Sequence, residues 1–355
     1  GEGVAVQDRQ DTKWWILAAT AGVLGLVVLD ETVVGVALVT IRQDLAMSEV
    51  ASHWVVNAYL LVFTCFVAVG GKLSDSLGHR QVFLWGAGLF ALASLLAGLA
   101  TSGSWLIAAR GLQGLGAAMT FPTSLAVLTS SFPPKERGLA FGIQSTIAAC
   151  FMSSGPLVGG FFTEVVSWRW LFWLNLPITL AIILIAWRSL PVARPTPQRD
   201  RHNRLDIAGL VTLVLGLSAL ITALMQGQDW GWRTTIIPGL FALGLVLLAL
   251  FTWIELRKSE PLIALSLLAI KTFTGGTLVF FMFQFEKVAV FVFVPLYLQE
   301  VLKDTPIHAG LVVVIAVTPA LITSSLAGKA VDRFGSRRPL AIGLLANAAA
   351  LIALG

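Results

Sequence analysis

Asp30 and Glu31 stand side by side deep inside an apolar run that begins at Trp14. A charged side chain at the centre of a membrane helix costs about 2.5 to 3.5 kcal/mol on insertion scales, so it is kept where a polar partner or a watery cavity serves it. Neighbours on a helix point about 100° apart and cannot serve one site face-on. One of the pair is therefore expected to line a cavity and exchange a proton or cation. Arg110 sits too deep in another apolar run to reach the interface easily, and it needs an anion or polar groups around it. A cation beside a carboxyl favours its ionised form while burial opposes it, which makes Arg110 a candidate regulator of a buried acid. The run Phe273 to Leu298 holds Gln284, Glu286 and Lys287, with Glu286 the candidate second acid and Lys287 expected to point elsewhere. Asn57, Tyr59, Gln113 and Gln144 could line a substrate cavity, although ordinary hydrogen bonding between helices accounts for them equally well.

Such residues need a scaffold that crosses a bilayer, and the composition supplies one. Hydrophobic residues make up 57% of the 355-residue chain and charged residues 12%, half the charged share of an ordinary soluble domain. Apolar runs at about 14–40, 54–73, 82–101, 104–129, 138–162, 169–188, 206–226, 235–255, 273–300, 308–328 and from 339 are each, the unfinished last apart, long enough for a membrane helix. Short alternating segments of the barrel type do not appear. The first run has no small-residue cleavage site and carries two acids, so it is expected to be a retained helix rather than a signal peptide. Among the basic residues, Arg42, Arg169, Arg233 and Lys303 fall in loops on one side, Arg110 and Lys287 lie within spans, and the others gather on the opposite side. That bias predicts a cytoplasmic N-terminus in the cytoplasmic (inner) membrane, and it explains the net charge of +5 without nucleic-acid binding. Cys65 and Cys150 read as small residues of apolar runs, with no metal-type spacing.

An internal repeat organises the chain. Gly71 to Arg80 (GKLSDSLGHR) and Gly328 to Arg337 (GKAVDRFGSR) share Gly, Lys, Asp, Gly and Arg at matched places. They follow the second and tenth spans, eight helices apart, where two six-helix halves would separate them by six. Two extra helices between the halves resolve the count and predict fourteen in the intact protein, about three of them after this sequence. The expected organisation is a cytoplasmic segment 1–13, an N-terminal six-helix bundle 14–190, a Pro- and Arg-rich cytoplasmic linker 191–205, two extra transmembrane helices 206–255, and the start of a C-terminal bundle 256–355.

These residues resemble the major facilitator superfamily, and within it the fourteen-helix drug:proton antiporters. The superfamily loop motif is matched by Gly71, Leu73, Asp75, Gly78 and Arg80, with Ser76 and His79 where basic residues are usual. Arg110-Gly111-Leu112-Gln113-Gly114 is similar to the R-x-x-q-G motif, and Gly155-Pro156-Leu157-Val158-Gly159-Gly160 to the antiporter signature, with Phe151 replacing a glycine of its longer form. Leu29-Asp30-Glu31-Thr32-Val33-Val34-Gly35-Val36-Ala37-Leu38-Val39 resembles the first-helix motif, with Gly35 and Val39 replacing the usual Asn and Pro. Trp168-Arg169-Trp170 and Asn175-Leu176-Pro177 resemble the family's sixth helix.

The resemblance implies an all-α fold of two six-helix bundles plus two linking helices. It selects Asp30 for proton or cation coupling, with Glu31 as runner-up and Arg110 as modulator. It implies a gate of Gly71, Asp75, Gly78 and Arg80, joined by Asp332 and Arg337 of the repeat, locking the bundles outward-open. Asp75 is expected near a helix N-terminus or Arg137. It also implies a hinge or seal at Gly155, Pro156, Gly159 and Gly160, where Pro removes a backbone hydrogen bond and Gly permits close contact. The function expected is proton-driven export of amphipathic drugs or other toxic small molecules by alternating access. The alternatives are export of one dedicated metabolite, lipid or siderophore, and a non-transporting sensor or scaffold. No nucleotide fold, nucleophile or acid–base set converges, so neither an enzyme nor a cofactor is expected, and the partners are substrate, protons and membrane lipid around a monomer.

Overall fold

A computed structural model describes residues 2–191, 206–258, 261–316, 318–319, 334 and 337–354, with side chains described between 12 and 349. The described residues form α1 (Glu2–Asp44), α2 (Glu49–Leu77), α3 (His79–Gly98), α4 (Gly103–Ser131), α5 (Arg137–Phe161), α6 (Arg169–Trp173), α7 (Asn175–Ser189), α8 (Ile207–Trp230), α9 (Ile236–Arg257), α10 (Lys271–Val288), α11 (Val294–Glu300), α12 (Pro306–Ala316) and α13 (Arg337–Leu354). Eight helices or joined helices among them are long and apolar enough to cross a membrane. The 29-residue α4, interrupted by Arg110 and many small residues, packs along α2 and α3. This is the expected all-α integral membrane architecture.

Local chemistry sets the ends. Ser48 and Ser102 accept from the amides of Ala51 (3.2 Å) and Trp105 (3.3 Å), relieving unpaired donors at the starts of α2 and α4. Gly78, at φ +99°, makes the turn from α2 to α3 that a Cβ would strain. We call the face with residues 12–13, 77–79 and 131–137 proximal and the face with residues 44–49, 98–103 and 161–169 distal.

Two expected spans are broken, and each break falls before a proline. Pro177 has no N–H for the carbonyl four residues earlier, and 169–188 divides at Leu174 into α6 and α7. Pro295 does the same to Phe291, and the segment between α10 and α11 is a π-helical turn, Ala289–Phe293. The freed Phe291 carbonyl faces Gly35 of α1, where a Cβ would lie 2.1 Å from its oxygen. Elsewhere α1 lies against α5, α7 and α4, and its residues Leu26, Val33, Val34, Ala37 and Ile41 are core.

Candidate functional site

Arg110 and Asp30 are both completely buried and form an ion pair, Arg110 Nη1 donating to Asp30 Oδ2. The other carboxylate oxygen, Oδ1, accepts from Asn175 Nδ2 (2.9 Å) and Gln113 Nε2 (3.2 Å). Gln113 lies one turn beyond Arg110 on α4, so the same helix face presents both. Its Oε1 accepts from Arg110 Nη1 at 2.8 Å and its Nε2 donates to Ser94 Oγ of α3 at 2.8 Å. The helix break before Pro177 puts Asn175 at the first position of α7, with its amide turned to the carboxylate. Arg110 Nε donates to the Val55 carbonyl of α2 at 2.9 Å, and the guanidinium lies 4.5 Å from the centre of the Tyr59 ring, in cation–π contact.

Four helices besides α1 thus converge on one carboxylate: α2 and α4 through Arg110, α3 through Ser94 and α7 through Asn175. Burying an acid costs free energy unless it is paired and hydrogen-bonded, and here one cation and two amides meet that need. Arg110 Nη2 and the Tyr59 hydroxyl are also buried and find no hydrogen-bond partner among the described residues.

Glu31 turns away from this cluster. Both of its carboxylate oxygens lie 2.9 Å from Lys287 Nζ of α10, so the residue expected to point elsewhere is the partner of the runner-up acid. Glu286, one position earlier, accepts from Asn347 of α13 at 2.7 Å and does not reach α1. Tyr59, Gln113 and Gln144 do not line an open cavity, being fully buried, because Arg110 draws the first two into its own shell. Asn57 does line one: a cavity of about 440 Å³ bounded by His53, Met225, Asp229, Trp232 and Val292, where its amide contacts Met225 Sδ at 3.0 Å.

The glycines of the α5 motif mark close approaches. A Cβ on Gly155 would lie 2.0 Å from Thr32 Oγ1 of α1, and one on Gly160 2.4 Å from the Pro306 carbonyl oxygen at the start of α12. Gly159 faces Val33, and the Pro156 carbonyl faces Gly310. The motif therefore touches both α1 and α12. In the loop motif, Gly71 lies beside Pro122, Asp75 is exposed, and Arg80 Nη2 donates to the Trp187 carbonyl at 2.6 Å. Arg137 donates to the Phe132 carbonyl at 3.1 Å. Asp332 lies outside the described residues, and Arg337 opens α13 and is exposed.

Sequence reasoning from single residues did not single out Ser94 or Asn175 as site residues. Asn175 entered only through the Asn175-Leu176-Pro177 resemblance, with no role attached to it.

Eight helices long and apolar enough to cross a membrane among the described residues, with a charged pair buried between them, mark a multi-pass membrane protein. The chain belongs to the Major Facilitator Superfamily, whose profile matches residues 20–355. It is 35% identical, over 99% of this chain and 69% of the relative, to the puromycin resistance protein pur8 of Streptomyces alboniger. It is 32% identical, over 95% of this chain and 62% of the relative, to a tetracenomycin C resistance and export protein of Streptomyces glaucescens. A crystal structure of the peptide transporter POT in complex with sulfate matches with a TM-score of 0.59 over 91% of this chain and 69% of that one, at 15% identity, a likeness of fold.

Proposed function

We propose that the chain is the larger part of a proton-coupled antiporter that exports amphipathic small molecules across the cytoplasmic membrane, with Asp30 as the proton site. One observation carries this reading: a carboxylate at mid-span, wholly buried, whose charge is balanced by Arg110 of a different helix. Protonating Asp30 removes that attraction and leaves Arg110 without its counter-ion, so the cluster must rearrange. Such a rearrangement is what ties proton binding to a change of state. The relatives named for drug resistance and export support an outward direction of transport.

The proximal face is the cytoplasmic one in this reading, as the distribution of Lys and Arg implies. The described contacts that join α1–α7 to α10–α12 lie from mid-membrane toward the distal face. One charge crossing 100 mV supplies about 2.3 kcal/mol, enough for a gradient on the order of fifty-fold. A second reading, export of one dedicated metabolite, is supported by the relative named for a single compound, tetracenomycin C. The full chain in proteoliposomes, given an imposed proton gradient and a panel of dyes, lipids and metabolites, tests the proposal. Gradient-dependent accumulation that Asp30→Asn abolishes is the expected result, and accumulation indifferent to the gradient would overturn it.

A further inference from the structure

The Glu31–Lys287 pair stands apart from the cluster around Asp30, and its position is unusual. At about 1.5 Å per residue, Glu31 lies about 27 Å along α1 from Lys13 and about 20 Å from Asp44, close to the middle of the membrane. Beyond it toward the distal face α1 and the end of α5 meet the second group of helices at several places, while α2 borders it across the cavity lined by His53 and Val292. Gly35 meets the Phe291 carbonyl, Gln299 donates to the Val36 carbonyl (2.9 Å), Arg42 pairs with Glu300 (2.7 Å), and the Ile307 amide donates to Glu164 (3.0 Å). The ion pair is the innermost of these contacts, and Phe285 and Val288, on either side of it along α10, line open cavities. Its side chains retain exposure, 14% for Glu31 and 10% for Lys287, where Asp30 and Arg110 have none. Of the two adjacent acids, Glu31 is the one a solute can touch.

We propose that Glu31 and Lys287 set the charge preference of the transport site, which favours solutes with no net charge, uncharged or zwitterionic, over monocations. The inference rests on the exporter reading and narrows its substrate class. A monocation that binds Glu31 displaces the Lys287 ammonium and strands it in a low-dielectric gap, and a monoanion strands Glu31 in the same way. An uncharged solute leaves the pair intact. A zwitterion replaces each half in kind, its cation against Glu31 and its anion against Lys287.

The test is equilibrium binding of two matched fluorescent probes, an uncharged aromatic amine derivative and its quaternary ammonium analogue, to the purified full chain, with transport of both followed in proteoliposomes. Lys287→Gln is expected to raise the cation-to-uncharged affinity ratio by about tenfold or more, Glu31→Gln to lower it, and Lys287→Arg to keep the wild-type value. Ratios that stay within twofold of wild type in both neutral variants overturn the proposal. Should Lys287→Gln not assemble, the exchange of Glu31→Lys with Lys287→Glu must retain the wild-type ratio, and a changed ratio counts against the pair. A wild-type protein that binds the probes but moves neither under a proton gradient refutes the exporter reading, while the affinity ratios still decide this one.

Discussion

Asn175 donates to the Asp30 carboxylate at 2.9 Å from a helix start created by Pro177, so a break in one helix supplies a hydrogen bond to the charge in another. Removing this donor leaves a buried oxygen under-satisfied, a loss of about 1 to 3 kcal/mol. Asn175→Leu should therefore lower the melting temperature of the purified protein, and Asn175→Asp should lower it further by placing two carboxylates together. Thermal unfolding followed by a thiol-reactive dye would show this, and an unchanged midpoint in both variants would contradict the geometry.

Arg110 is held by a carboxylate, a backbone carbonyl, an amide oxygen and an aromatic face at once. A lysine cannot reproduce that fork, so Arg110→Lys should lose most transport despite keeping the charge. Breaking one side of a buried pair costs about 3 to 5 kcal/mol, so Arg110→Ala should reduce the amount of folded protein in the membrane. The double change Asp30→Asn with Arg110→Gln, which buries no net charge, should recover folding without proton coupling. Fluorescence-detected size exclusion and vesicle transport separate the two effects.

Gly35 packs so closely on the Phe291 carbonyl that any side chain must push α1 and the π turn apart. Gly35→Leu should open the distal seam. In a background lacking Cys65 and Cys150, a cysteine at Leu296, half-buried in that seam, should react with a membrane-impermeant maleimide several-fold faster in the Gly35→Leu protein. Equal rates would place the seam elsewhere.

Asp206 caps α8 through the Gly209 amide (2.7 Å) and pairs with Lys258. Burial pushes its carboxyl up, but the hydrogen bonds from Lys258 and the Gly209 amide outweigh this and hold it below the usual carboxylate range. A lowered native value means that the cap contributes stability above about pH 4 and loses it as the pH falls through the native value. Hydrogen-exchange protection over residues 207–212, corrected for the intrinsic pH dependence of exchange, should be high at neutral pH and fall below about pH 4. Asp206→Asn should make that pH response disappear.

The spans were legible because apolar runs of this length have few alternatives, and Asp30 and Arg110 were legible because charge inside them is expensive. Their partners were not. Asn175 and Ser94 are single polar residues whose meaning depends on how far each helix is rotated, and the Glu31–Lys287 contact joins residues that no local pattern relates. Gln113 stayed open between a cavity wall and hydrogen bonding among helices, because polarity alone cannot tell a residue facing water from one facing an arginine. The interruptions at Leu174 and at 289–293 had a visible cause in Pro177 and Pro295, but sequence did not show what they would do, one placing Asn175 at a helix start and the other turning the Phe291 carbonyl to Gly35.

The claim that Asp30 carries the proton is tested most directly by the protons released when substrate is added to the purified full chain in weakly buffered detergent, read with a pH-sensitive dye. The wild type and Glu31→Gln should release protons and Asp30→Asn should release none, with substrate binding confirmed separately for each. Proton release from Asp30→Asn equal to that of the wild type would contradict the account.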